Sequence, residues 1–141
     1  MVIKLKNIIA ALYSKDESSN IFIKVMDSIE DFNRKLELIS AVKELNEVAE
    51  QYKKEEQSIK MKALEDYCKT ENAKNTDKEI KPSDFNMLPN EIVPEVLDRL
   101  QKLLDTDITL TKFNKFSKQE IEKSGIVVSD ILKIEDFINL N

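Results

Sequence analysis

Residues 21–69 have the sequence IFIKVMDSIEDFNRKLELISAVKELNEVAEQYKKEEQSIKMKALEDYCK, which contains neither glycine nor proline. Apolar residues recur along it in steps of three and four, the spacing of one helix face: Val25, Ile29, Phe32, Leu36, Ile39, Val42, Leu45, Ala49 and Tyr52, then Ile59 and Ala63. Two consecutive steps of three, at Leu36, Ile39 and Val42, form a stammer. The stretch predicts one long amphipathic helix, with ion pairs at spacing four such as Glu30–Arg34 and Glu56–Lys60.

The length of this helix limits how the chain can fold. A helix of about 45 residues would extend about 67 Å. A globular domain of 141 residues is only about 30–35 Å across. The helix must therefore bend, fold back or project. The pair Glu55 and Glu56 is the predicted place for a bend, or for the seam to reach water, because an apolar seam residue is expected at position 56.

The apolar face of the long helix has two interpretations. It is the core face of a helix that packs on its own domain, or it is a coiled-coil seam that joins copies of the chain. In the second case the contacts between copies come from Val42, Leu45, Ala49 and Tyr52. From the length and the spacing we expect a homo-oligomer, at least a dimer, through these residues.

The rest of the chain predicts shorter elements. Alternating residues 2–6 and 107–113 predict two short strands that pair in a small sheet. A helix capped by Asn7 follows the first strand, and the polar residues 14–20 end it. Residues 70–90 predict a flexible linker between the long helix and a C-terminal helical part.

The C-terminal part carries clear helix signals. An apolar stripe over residues 93–104 predicts a helix. Farther on, Ser117 and Glu120 form a capping box, Gly125 stands where a left-handed residue ends a helix, and Ser129 is expected to cap the last helix. We therefore predict a mainly α fold in a single domain, residues 1–141, with one long helix, shorter helices and a two-stranded sheet.

The composition excludes most catalytic machinery. The chain has no histidine, one glycine and one cysteine, Cys68. It therefore has no Ser-His-Asp or Cys-His nucleophile and no glycine-rich phosphate loop. The formal charge of −5 argues against a broad nucleic-acid surface, and no apolar run is long enough for a membrane span. We expect a cytoplasmic protein with no cofactor and no bound metal.

Two short patterns match parts of enzyme sites. Residues 105–109 (DTDIT) match the D-x-D-x-T pattern of phosphatases with an aspartyl nucleophile. Residues 79–81 (EIK) match half of a metal-dependent nuclease site, with Asp66 or Asp77 as a second carboxylate. The first pattern follows an amphipathic helix rather than a central parallel strand, and the second is expected by chance in so charged a chain. We interpret both as polar surface and predict no enzyme activity.

Two further sets of residues are candidates for binding. Phe85, Met87 and Leu88 stand between two prolines and form a candidate partner-binding segment; alternatively, they fasten a loop to the core. The lysines near the two predicted strands offer charge for a small nucleotide or another anion: Lys4, Lys6, Lys112 and Lys115.

Four stretches carry a resemblance to a known group of proteins: residues 3–7 (IKLKN), residues 23–25 (IKV) with Ile29 and Leu36, residues 103–108 (LLDTDI) and residues 129–132 (SDIL). In this order they resemble small, uncharacterised accessory proteins of phages and prophages from low-GC Gram-positive bacteria. The resemblance implies a mobile-element protein in the cytoplasm of a bacterial host, with no catalytic residues to transfer.

Together these observations favour a non-enzymatic protein that binds another protein of the host or the phage. In one form of this hypothesis it inhibits a host defence protein by covering its surface. A phage assembly or structural accessory protein is one alternative. A protein that sequesters a small nucleotide is the other.

Overall fold

The computed structural model describes residues 1–13, 20–74 and 77–140. These ranges contain strands β1 and β2, helices α1 to α6 and two 3-10 turns: β1 (Val2–Lys4), α1 (Leu5–Leu12), α2 (Ile21–Asp27), α3 (Phe32–Lys74), a 3-10 turn (Pro82–Asp84), α4 (Val93–Leu104), β2 (Asp107–Thr109), α5 (Lys118–Ser124), α6 (Val128–Lys133) and a second 3-10 turn (Glu135–Phe137). The predicted fold class is confirmed: the chain is mainly α, with one long helix, shorter helices and a two-stranded sheet. The helix-ending segment predicted at residues 14–20 lies outside the described residues, except for Asn20, whose side chain caps α2.

The predicted pairing of the two strands is confirmed. β1 and β2 are antiparallel, and their register pairs Val2 with Thr109, Ile3 with Ile108 and Lys4 with Asp107. The helix after β1 begins at Leu5, so the prediction that Asn7 caps it is wrong. Leu5, Ile8 and Ala11 are buried at helical spacing. Burial of this face favours a helix that begins directly after the strand, at Leu5.

β2 ends at Thr109 rather than continuing to residue 113 as predicted. The carboxylate of Glu44 on α3 accepts hydrogen bonds from the amides of Thr111 (3.0 Å) and Lys112 (3.3 Å), and from the Thr111 hydroxyl at 2.7 Å. The amide of Leu110 still donates to the Met1 carbonyl, whereas the amides of Thr111 and Lys112 are bound to a side chain from another element.

α2 and α3 are separate helices, so the prediction of one uninterrupted helix over residues 21–69 is wrong at residues 28–31. The Ser28 hydroxyl donates to the carbonyl of Val25 at 2.7 Å. The Asp31 carboxylate accepts from the amides of Asn33 (2.9 Å) and Arg34 (3.3 Å) and so caps α3. Short polar side chains that bind nearby backbone groups compete with continued helix.

α3 contains 43 residues and continues through Glu55 and Glu56, where a bend is predicted. It ends at Lys74, although the sequence assigns the residues from 70 onward to a linker. The Thr70 hydroxyl donates to the Asp66 carbonyl at 3.0 Å, a bond one helical turn back that lets a polar residue remain helical.

The chain divides into two compact units. The first unit contains Met1–Ala49 and Asp105–Asn141, and the second contains Glu50–Leu104. Residues 70–90, the predicted linker, therefore lie within the second unit. α3 contributes its N-terminal part to the first unit and its C-terminal part to the second.

The core of the first unit is aromatic. Four phenylalanines from three parts of the chain meet there, with ring centroids between 5.0 and 6.1 Å apart: Phe22, Phe113, Phe116 and Phe137. Most of these ring pairs meet edge to face, an arrangement that adds attraction to the burial of apolar area. α2 is held against α5, and Phe116 is joined to residues 137–139 by backbone hydrogen bonds.

The core of the second unit is smaller. Its buried members are Ala63 and Leu64 from α3, Ile92 before α4, and Val96 within α4. Partly buried apolar residues complete it: Ile59, Tyr67, Phe85, Leu88 and Leu100. The apolar stripe predicted for residues 93–104 thus does pack, although Leu97 remains 59% exposed.

The capping box predicted at Ser117 and Glu120 is confirmed by reciprocal bonds of 3.1 and 2.9 Å. Gly125 is confirmed as the left-handed residue that ends α5, with φ of 65°. The prediction that Ser129 caps the last helix is wrong, because α6 begins at Val128. The carbonyl of Val127 already accepts the first bonds of this helix, so Ser129 lies inside its first turn.

Candidate functional site

The second unit carries a loop after α3, and side-chain hydrogen bonds fix its course. Asn72, in the last turn of α3, donates to the carbonyl of Ile80 at 3.0 Å and accepts from its amide at 2.8 Å. The amide of Lys81 donates to the Asp84 carboxylate at 2.9 Å and closes the turn that begins at Pro82. The chain is therefore anchored at Ile80, and the turn is closed by its own side chain, before the apolar residues of the loop.

The three predicted partner-binding residues have different surroundings. The rings of Phe85 and Tyr67 meet edge to face, with centroids 5.9 Å apart, and both Phe85 and Leu88 pack against the core of the second unit. Met87 is 83% exposed. Phe85 and Leu88 thus fasten the loop, as the alternative interpretation requires, whereas Met87 projects from it.

A cleft of about 340 Å³ lies between this loop and α3. We call it the methionine cleft, and its lining comes from both elements: Gln57, Lys60, Met61 and Leu64 from α3, and Phe85, Asn86, Met87 and Leu88 from the loop. Met61 is 50% exposed. Of the four methionines in the chain, Met1 and Met26 are partly buried against the core of the first unit, so the two exposed methionines both border this cleft.

A polar row on α3 lies beside the cleft. Lys60 donates to the Glu56 carboxylate at 3.2 Å, which confirms the predicted ion pair, and Tyr52 is hydrogen-bonded to the same carboxylate. Burial and this bond raise the pKa of Tyr52 to about 12. Burial alone would raise the pKa of Glu56, but its bonds with Tyr52 and Lys60 lower it below the ordinary value. The row places a polar side chain at position 56, where the predicted seam requires an apolar residue.

The residues predicted to join copies of the chain lie mostly in its own core. Leu45 is fully buried and Ala49 is 2% exposed, and Val42 packs partly buried against the core of the first unit. Tyr52 belongs to the polar row. This placement is what the core-face interpretation requires, and the oligomeric state itself stays a prediction.

The residues of the predicted seam on α3 are exposed before the stammer and buried or partly buried after it. After it, Leu45 faces the core. Before it, Phe32, Leu36 and Ile39 are 69%, 49% and 42% exposed. Leu38 and Ala41, which the predicted seam omits, are fully buried, because residues two positions apart point about 200° apart around a helix. The two consecutive steps of three are thus the sequence signal of this change.

The aspartates of the phosphatase-like pattern and the lysines near the strands neutralise one another. The Lys4 ammonium lies 3.0 Å from the carboxylate of Asp107, and the Lys6 ammonium lies 3.2 Å from that of Asp105. Lys115 lines a separate cleft of about 450 Å³ with Asp107 and Asp136. The charge that the nucleotide hypothesis requires is therefore matched by carboxylates on the same surface.

Arg34, a partly buried residue of α3, forms a polar network that the sequence does not predict. Arg34, expected to pair with Glu30, instead binds Glu120 through two nitrogens (2.9 and 3.1 Å) and Glu37 at 3.1 Å. It also donates to the carbonyls of Asn114 and Lys115. Burial would lower the pKa of Arg34, but these carboxylates outweigh it and raise the pKa. The same bonds lower the pKa of Glu120, against the effect of its burial.

This arginine forms one wall of a cleft of about 590 Å³ in the first unit, between the α2–α3 connection and α5. Because its guanidinium is already bound to two carboxylates and two carbonyls, it fixes α3 to α5 rather than offering donors to a ligand. Such a pair joins residues 86 positions apart, and no local sequence signal identifies it.

The remaining candidates have the following surroundings. Glu79 and Lys81 are exposed, and among the described residues no three His, Cys, Asp or Glu side chains are grouped so as to hold a metal ion. Cys68 is 4% exposed, and burial raises the pKa of its thiol. In the described ranges, every helix is too short or too polar to span a bilayer.

The chain matches no protein-family model, no curated protein and no solved structure.

Proposed function

We propose that this chain is a non-enzymatic protein that binds an apolar segment of another protein in the methionine cleft. One observation carries the proposal: the two exposed methionines, Met61 and Met87, stand on the two walls of one cleft. Methionine is flexible and polarizable, and it adapts to apolar partners of irregular shape. Single exposed apolar residues need no explanation, but a contiguous apolar site indicates a binding surface.

The size and the chemistry of the cleft indicate its occupant. Its volume of about 340 Å³ is near the lower end of the range for ligand pockets, about 300–1,000 Å³. It therefore suits a few apolar side chains rather than a whole helix. Lys60 is already paired with Glu56, so the rim offers no free charge, and the amides of Gln57 and Asn86 are left to bond the backbone of an uncharged segment.

The anchoring of the loop supports binding by a preformed site. Phe85 and Leu88 hold the loop to the core, and Asn72 fixes its start. A partner would therefore meet a cleft whose walls are already ordered, which reduces the entropy lost on binding. The partner class, a host or phage protein, is supported by the resemblance described above.

A selection from a random-peptide display library with the purified chain tests this function. We expect the selected peptides to carry large apolar residues and few charges. The double variant Met61→Asp with Met87→Asp should weaken binding of a selected peptide at least about tenfold. The matched control is Leu97→Asp, which places the same charge at an exposed apolar residue of the second unit outside the cleft.

The proposal fails if no peptide is enriched, or if the double variant and Leu97→Asp bind a selected peptide equally well. Phe85 and Leu88 are unsuitable positions for this test, because their replacement would also release the loop from the core. Circular-dichroism melts of the variants should match that of the parent chain, since Met61 and Met87 contribute exposed rather than buried surface.

A further inference from the structure

One face of α3 in the first unit is apolar and uncovered. Its members, which we call the α3 stripe, are Phe32, Leu36 and Ile39, spaced four and three residues apart and therefore adjacent on the helix surface. They are 69%, 49% and 42% exposed. Because the buried Leu38 and Ala41 point the other way, the core of the unit does not cover the stripe.

Charged residues bracket the α3 stripe with opposite signs. Glu30 and Asp31 precede it and Lys43 follows it by about one turn, and all three are exposed. Among the described residues, neither Glu30 nor Lys43 forms an ion pair. The midpoints between Lys43 and these two acidic residues fall within about one residue of Leu36, the central member of the stripe.

We propose that the α3 stripe binds a second copy of this chain, with the two helices antiparallel and a two-fold axis beside Leu36. In such a dimer the same patch faces itself, and each contact occurs twice. Lys43 of one copy then lies beside Glu30 and Asp31 of the other, while Leu36 meets its own equivalent. A parallel pair would place like charges opposite each other, which is unfavourable.

This interface is small, and the association is accordingly weak. Three apolar side chains and two symmetric sets of charges bury less than the roughly 1,600 Å² of a standard interface. The stripe belongs to the first unit and shares no residue with the methionine cleft, so the dimer goes beyond the proposed function and can fail independently of it. It also differs from the seam predicted from the sequence, whose members Leu45 and Ala49 are buried.

Sedimentation equilibrium of the full chain, from about 10 µM to about 1 mM, tests the dimer. The average mass should rise from 16.3 kDa toward about 33 kDa. Leu36→Lys should keep the mass at 16.3 kDa throughout. The control Leu132→Lys, at a residue of the same unit that is 65% exposed on α6, should associate like the parent chain. A parent chain that stays monomeric to about 1 mM overturns the proposal, as does unchanged association of Leu36→Lys.

A charge exchange tests the antiparallel register. Lys43→Glu should weaken the dimer at least about tenfold, because it brings carboxylates together, and Lys43→Glu with Glu30→Lys should restore it to within about threefold. Neither residue belongs to a core, so circular-dichroism melts should be unchanged. Failure of the second substitution to restore association overturns the register and with it the proposal.

Disulfide formation gives a second measure of the same geometry. In a Cys68→Ala background, Leu36→Cys should form a disulfide between copies on oxidation, since residue 36 meets its equivalent at the axis. Lys43→Cys should not, because its two equivalents lie about 20 Å apart along antiparallel helices, well beyond disulfide reach. Cross-linking at residue 43 but not at residue 36 overturns the proposal.

Discussion

In the first unit, 17 of the described residues form one buried cluster that includes four phenylalanines. In the second unit the corresponding cluster contains four buried residues and no fully buried aromatic ring. Since the free energy of folding rises with buried apolar area, most of the stabilising burial belongs to the first unit. The second unit has less to bury and places two flexible apolar side chains, Met61 and Met87, at its surface. The contrast teaches that the two units differ in how much buried apolar area holds each of them together.

The arginines show the same contrast. Arg34 in the first unit binds two carboxylates and two carbonyls, with its side chain 16% exposed. Arg99 in the second unit pairs with Glu95 at 2.9 Å on the surface of α4, where both side chains are about half exposed. The first ion pair joins distant parts of the chain, whereas the second lies within a single helix.

The largest expected effect is on the aromatic core. Phe22→Ala should lower the free energy of unfolding by about 3–5 kcal/mol, because it leaves a cavity among three other rings. Val96→Ala, at a buried residue of the second unit, should cost about 2 kcal/mol. Urea denaturation followed by circular dichroism measures both values. Equal losses would remove the contrast between the two cores.

The next largest effect is expected for the partly buried ion pair between Arg34 and Glu120. Arg34→Met should cost about 2–3 kcal/mol, because Glu120, Glu37 and two carbonyls each lose a hydrogen bond from the guanidinium. Arg99→Met should change stability by less than about 0.5 kcal/mol, since exposed pairs within a helix contribute little. The same denaturation measurement compares the two variants, and a cost for Arg99→Met as large as that for Arg34→Met would contradict the assignment.

A smaller effect is expected at the end of α5. Gly125→Ala should cost about 1 kcal/mol, because φ of 65° is unfavourable for a residue with a Cβ. An added Cβ would meet no heavy atom within 4 Å, so the cost comes from the backbone alone. Glu122→Ala, an exposed position in the same helix, is the control and should be nearly neutral. Comparable melting temperatures for both variants would show that the backbone at Gly125 readily adopts another conformation.

The smallest expected effect is a change with pH. Burial would raise the pKa of Glu44, but its bonds with Thr111 and Lys112 lower it below the ordinary value of 4.5. A carboxylate with a lowered pKa in the folded state stabilises the fold above its ordinary pKa, and this contribution is lost as the pH falls through the lowered value. Glu44→Gln should therefore reduce the loss of stability below pH 4.5. Glu47→Gln, one turn away and exposed, serves as the control, and an equal change in both variants would contradict the assignment.

Apart from the pairing of β1 with β2, the features that sequence patterns predicted correctly are local ones. Ser117, Glu120 and Gly125 act within a few residues of one another, so their spacing alone indicates the ends of α5. The break at residues 28–31 was missed because Val25, Ile29 and Phe32 keep helical spacing across it, and the hydrogen bonds of Ser28 and Asp31 that end and begin the helices leave that spacing unchanged.

Features that depend on distant side-chain contacts could not be predicted. The partner of Arg34 lies 86 residues away, and the exposed side of α3 depends on which elements cover the other side. The candidate site was half predicted. Met87 stood in the segment singled out from the sequence, whereas Met61 lies between two lysines, outside the predicted seam, and carries no signal until the loop is placed beside it.

The single cysteine of the chain allows local opening of the second unit to be measured. Cys68 belongs to that unit and is buried, so a thiol reagent reaches it only when the surrounding packing opens. Its labelling rate, measured on the unmodified chain and divided by the rate for an exposed thiol, gives the equilibrium constant of that opening. With so few buried neighbours to separate, we expect this opening to be more frequent than the opening of the aromatic unit, and the protein reports it without any substitution.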